Sequence, residues 1–170
     1  GIVNALNKCG ITEGGKQIMV AGCRLPLESE YREFWELPYN DDLKLGLFKS
    51  FVQSRAIISW FKNFEANSRH KLEDIRIVYR DVSDAASSTI GGTSAVDVYE
   101  KAKIVEKLIY DISASLIPPA ESDLKSDAVA PYHPFDAIEY FVIGQSQPLK
   151  PLVILDDAHT LHPMQLIAMK

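Results

Sequence analysis

Four side chains able to do metal or acid–base chemistry crowd one short stretch near the C-terminal end: Asp156, Asp157, His159 and His162. Two adjacent carboxylates can divide a hydrolytic task, one holding a divalent cation and the other orienting or deprotonating water. Magnesium suits that division because it prefers oxygen ligands and keeps several waters, so one carboxylate on a rigid element suffices. Neighbouring strand residues point to opposite faces, which gives the two acids separate positions. Asp156, His159 and His162 recur every third residue and are also of the types used by metal-dependent hydrolases, with His133 a further candidate ligand. Pro163 counts against that grouping, because Pro favours the first position of a helix and splits these residues across a loop–helix junction. The plainest alternative is that the acids merely end a strand and cap the next helix, since an apolar run followed by two acids is a weak pattern.

The element that must position them is the run Leu152-Val-Ile-Leu155, short, apolar and partly β-branched. Such a run reads as a strand buried on both faces of a parallel sheet. Its acids then lie at the carboxyl edge, where open α/β sheets bind ligands. His159 lies just beyond, placed to hydrogen-bond Asp157 or to sense a terminal phosphate.

The stretch Leu152-Val-Ile-Leu-Asp-Asp157 resembles the Walker B motif of P-loop NTPases. Its continuation, Ala158-His-Thr-Leu-His-Pro163 and then Gln165, resembles a run found in ABC-like ATPases related to RecF and OLD nucleases. This chain has Asp157 where that group usually has Glu, and Ala158-His159 where it usually has Pro-Glu. An Asp-Asp-x-His sequence also occurs in signalling NTPases of the STAND type. The resemblance implies that Asp156 holds Mg²⁺ and that Asp157, with His159 beside it, serves catalysis. It further implies ATP as ligand and a homodimer or larger assembly in a longer protein. Gly1-Ile-Val-Asn-Ala-Leu6 resembles the helix that follows a Gly-Lys-Ser/Thr phosphate loop. That places the loop just upstream and makes this chain a fragment that binds nucleotide poorly by itself. No G-x-x-x-x-G-K-[ST] is present; Gly14-Gly15-Lys16 lacks the first glycine and is followed by Gln17, so it reads as a turn before a strand.

The rest of the chain is read from pattern. Asp42 to Asn67 is the longest helical stretch, with Leu47, Phe48, Phe51, Val52, Ile58 and Phe61 along one face and Arg55 at its rim. Ala95 to about Leu116 is a second amphipathic helix, capped by Thr93 or Ser94. Pro134 to Ile143 reads as a third helix with Pro at its start. Gln17–Gly22 and Asp74–Arg80 read as strands, Glu28–Asn40 as a packed loop, and the Ser/Gly-rich 82–94 segment as a connector. Arg24, just past the first of these strands, reads more readily as a solvated surface residue than as a phosphate contact. The expected fold is therefore α/β: a partial P-loop-like core sheet from residues 1–40 and 130–170, with a largely helical insert at about 41–129.

Composition narrows the function classes. A net charge of −5 gives no general attraction to nucleic acid or anionic membrane, although a local basic groove is compatible with it. No apolar run approaches the ~18 residues of a membrane helix, and no signal peptide is visible. Cys9 and Cys23 lack metal or disulfide spacing and fit a cytoplasmic protein. The expected function is Mg-dependent ATP binding and hydrolysis. The alternatives are a non-catalytic nucleotide switch or interaction domain, and a metal-dependent hydrolase using Asp156, His159 and His162.

Overall fold

The computed structural model describes residues 2–67, 70–81, 90–124 and 132–170, and its architecture is mixed α/β. The pairing that organises it joins β3 (Val20–Pro26) to β6 (Lys150–Asp156) in parallel, with Arg24 opposite Ile154 and Pro26 opposite Asp156. Parallel strands need a long crossover, and the crossover here carries two long helices and a second, antiparallel pair of strands.

Side-chain alternation gives the β3–β6 sheet two different faces. Ala21, Cys23 and Leu25 are buried, and Val153 and Leu155 pack with them in the core. The helix α3 (Asp41–Asn67) lies against this face. Its Trp60 donates from Nε1 to Ala21 O at 2.8 Å and reaches Leu152 O at 3.3 Å, so one indole touches both strands. The opposite face presents Gly22 and Arg24 beside Leu152, Ile154 and Asp156.

Helix α1 (Ile2–Cys9) packs on that second face. Gly22 permits the approach: its N–H donates to Asn7 Oδ1 at 2.6 Å, and a Cβ there would stand 3.0 Å from Asn7 Oδ1 and 3.4 Å from Val3 Cγ1. Gly10, at φ +70°, ends the helix against Ile18. A hairpin of β1 (Ile11–Glu13) and β2 (Lys16–Ile18) follows. Gly14 and Gly15 make its turn with φ of +57° and +78°, the paired positive angles of a tight hairpin. Lys150 Nζ lies 3.0 Å from Glu13 and ties the hairpin to the start of β6.

Both long helices form where their apolar periodicity places them. Asn40 Oδ1 accepts from Leu43 N at 2.9 Å to start α3. The segment expected as a packed loop, Glu28–Asn40, is packed but holds a short α2 (Ser29–Glu33) and a helical turn at Phe34–Glu36, and it buries Tyr31, Phe34, Leu37 and Tyr39 beside α3. Between α3 and the next helix comes β4 (Ile75–Tyr79). The helix α4 (Ala95–Ser113) is capped by Ser94, whose hydroxyl accepts from Asp97 N at 3.1 Å. It buries Val98, Ala102, Val105, Ile109 and Ile112 against α3. It stops before Leu116 and Ile117, which are exposed.

Three expectations are corrected. Pro134–Ile143 is not one helix: only α5 (Pro134–Ala137) is helical, and Ile138–Ile143 forms β5, antiparallel to β4. The residues Ile-Glu-Tyr-Phe-Val-Ile favour a pleated, half-buried surface, and Phe141 exchanges both backbone hydrogen bonds with Leu149, at 2.9 and 2.7 Å. The strand expected over Gln17–Gly22 is divided: Gln17 and Ile18 belong to β2, while β3 starts at Val20 and runs on to Pro26, which puts Arg24 inside the ladder. And β6 is half-buried along its whole length rather than enclosed, because among the described residues it pairs with β3 alone. Within the described residues, no helix is long and apolar enough to cross a membrane.

Candidate functional site at the carboxyl edge of the parallel pair

Asp156 is the last residue of β6, and its carbonyl still accepts from Leu27 N at 2.9 Å, holding the strand end in register. One carboxylate oxygen, Oδ2, takes a charge-assisted hydrogen bond from Arg24 Nη2. The other, Oδ1, accepts from Asp157 N at 3.1 Å. The hydrogen bond from Arg24 holds the Asp156 carboxyl below its usual range, and the same contact raises Arg24, with the nearby Asp157 charge adding to it. Both side chains face solvent, at 60% exposure for Arg24 and 35% for Asp156. Such a pair contributes little to stability.

Asp157 turns the chain out of the strand with φ 58° and ψ 30°. Among the described residues it is the one non-glycine at positive φ. Its carbonyl is clasped by Thr160, whose N–H donates at 3.0 Å and whose hydroxyl lies 2.9 Å away. That hydroxyl also sits 3.1 Å from Leu27 O, so the turn is pinned to the segment following β3. The Asp157 side chain is exposed, as is His159 in the helical turn Ala158–Thr160.

His162 belongs to a different arrangement. It caps α6 (Pro163–Ala168) by accepting from Met164 N at 3.3 Å through Nδ1. Its backbone N–H donates to Gln165 Oε1 at 2.9 Å, closing a capping box. Gln165 is fully buried and donates from Nε2 to Tyr31 O at 2.6 Å. The imidazole stacks on Trp35 with centroids 4.2 Å apart. Leu161 is buried beneath this turn. The whole Leu-His-Pro-x-Gln run therefore has a local structural reason, which is to start a helix and fasten it to α2.

No protein-family model, curated protein or solved structure matches the chain.

The site must then be judged by its own donors. Among the described residues there is no group of three or more His, Cys, Asp and Glu side chains able to hold a metal ion. Asp156, His159 and His162 are not gathered into one, and His133 lies beside Gln53. What remains is a single outward-facing carboxylate at a strand end, already carrying a cationic neighbour. That donor set fits a cation such as magnesium, which brings most of its ligands as water and phosphate oxygens. It does not fit a metal held by protein side chains alone. Arg24 is solvent-exposed, as the sequence suggested; its pairing with Asp156, 132 residues away, appears only through the strand pairing.

Proposed function

We propose that this chain supplies the magnesium-holding and water-orienting edge of an ATP-hydrolysing P-loop domain, within a longer protein. The observation that carries the reading is the direction of α1. Its C-terminal end meets Ile18, ahead of β3, and Val3 and Asn7 flank Gly22 in the middle of the strand. The helix thus runs antiparallel to β3, and its N-terminus is directed toward Arg24 and the carboxyl edge. From Asn7 to Ile2 a helix advances about 7 Å, roughly the two-residue step from Gly22 to Arg24 along a strand. A phosphate loop entering α1 would deliver its anion to the edge and face that carry Asp156, where helix N–H groups and the macrodipole favour negative charge.

Each residue then has a task that its position allows. Asp156 holds the cation, whose chemistry when bound is to neutralise charge on the transferring phosphate. Asp157, displaced from Asp156 by the left-handed turn, orients or deprotonates water. His159, exposed two residues on, lies within the same turn and can steady Asp157 or a terminal phosphate oxygen. The half-buried β6 borders a cleft of about 500 Å³ lined by Leu152, Val153 and Leu155 and by Ile138 and Tyr140 of β5.

The decisive test is Asp157→Ala in the complete protein. Loss of a positioned acid–base group lowers turnover roughly 10²–10⁴-fold, so hydrolysis should fall by at least about 10² while ATP binding persists. Hydrolysis at the wild-type rate removes Asp157 from catalysis. If the wild-type protein binds ATP without turning it over, the domain is a nucleotide switch.

A further inference from the structure

We propose that Arg24 is a latch on the metal carboxylate: it occupies Asp156 when nucleotide is absent and is handed to the phosphates when magnesium and ATP arrive. The inference rests on the ATPase reading and adds a residue that the Walker B resemblance does not assign. Arg24 sits opposite Ile154 in the parallel ladder and reaches two residues along β6, to Asp156, on the face that α1 covers. Its guanidinium therefore stands where a cation bound to Asp156 would stand, and the two positive charges exclude one another from one carboxylate oxygen. Asp157 follows Asp156 directly and its N–H donates to Asp156 Oδ1 at 3.1 Å, so the second acid adjoins the pair.

The pair is weak enough to be displaced. Exposed ion pairs are worth at most a factor of about five in an equilibrium constant, whereas a guanidinium meeting phosphate oxygens makes stronger, bidentate charge-assisted bonds. Once a divalent cation takes Asp156, the neighbouring anion available to Arg24 is the nucleotide. At 60% exposure the side chain can swing toward it without opening the core. Arg24 would thus be a positioning residue in the free protein and a phosphate ligand in the loaded one.

The test uses the complete protein, Mn²⁺ as the metal probe read by electron paramagnetic resonance, and adenylyl imidodiphosphate as a nucleotide that is not cleaved. Arg24→Gln should tighten Mn²⁺ binding without nucleotide two- to fivefold. It should also weaken binding of the analogue with Mn²⁺ by tenfold or more, at unchanged thermal stability. Arg24→Lys should retain part of both effects, since its charge remains but not its planar fork. Arg24→Gln leaving both affinities unchanged, while Asp156→Asn abolishes metal-dependent analogue binding, overturns the latch and leaves the ATPase reading intact. If Asp156→Asn also leaves analogue binding unchanged, the ATPase reading fails and the latch fails with it.

Discussion

Asp157 combines an exposed carboxylate with a backbone conformation that an L-residue adopts at a cost. The left-handed region is disfavoured by about 1–2 kcal/mol for most side chains and less for Asp, whose short polar group finds local partners. Clamping by Thr160 holds the conformation in place, and strained backbone of this kind is known to gather at functional sites. The strain and the chemistry can be separated by substitution. Asp157→Gly should unfold in urea at the wild-type midpoint or above it, and Asp157→Ala below it, the two differing by about 1 kcal/mol. Both lack the carboxylate, so under the proposed function both lose hydrolysis equally. Equal midpoints for the two variants would mean that the turn stores no strain.

The elements were legible in the sequence to the degree that their patterns were long. The stripes through Phe48 and Phe61 and through Val98 and Ile109 dictated α3 and α4, because a 3.6-residue repeat over several turns has no competing interpretation. Ile138–Ile143 was not legible: a short apolar run suits helix or strand equally, and β4 decided the matter by offering hydrogen bonds. Gly22 looked like a strand end, yet it lies inside β3 to let α1 approach. For the same reason the carboxylates could be placed at a strand edge from sequence while Arg24 could not be placed beside them. The β3–α3 contact provides a test at this scale. Burial pushes the Cys23 thiol up to about 12, against the pull of a Ser59 hydrogen bond. In the unfolded chain it ionises near pH 8.5, so the unfolded state releases its proton first. The stabilisation due to the neutral thiol is complete below that pH and is lost progressively as pH rises toward 12. Urea midpoints between pH 8 and 11 should therefore fall more steeply in the wild type than in Cys23→Ala. Cys9, which is exposed, should react with thiol reagents at once, and Cys23 only as β3 and α3 separate. Parallel pH curves for the two proteins would mean that the thiol is not isolated from water in the folded chain.

For the molecule as a whole, the question is whether the candidate edge and the helical core unfold as one body. Trp60 links them: it lies in the aromatic cluster with Phe135 and Phe141 while bonding to carbonyls of β3 and, more distantly, of β6. Trp60→Phe preserves most of the ring volume but removes the indole donor, while Ala21 O keeps its place in the β3–β6 ladder. The expected loss is therefore that of one net hydrogen bond, roughly 0.5–1.5 kcal/mol. Trp35 reports from the other side, stacked on His162 where α6 begins. If α3 carries the sheet, the fluorescence of Trp35 in Trp60→Phe and that of Trp60 in Trp35→Phe should each follow the far-ultraviolet circular dichroism of the same variant through one urea transition. A Trp35 signal lost at lower urea than the helical signal would instead make the Asp157 turn and α6 a separately opening unit. That turn carries Asp157 and His159. Under the proposed function, an independently opening turn would therefore have to close when nucleotide binds, whereas a single cooperative transition would leave the movement of Arg24 as the change the proposal requires.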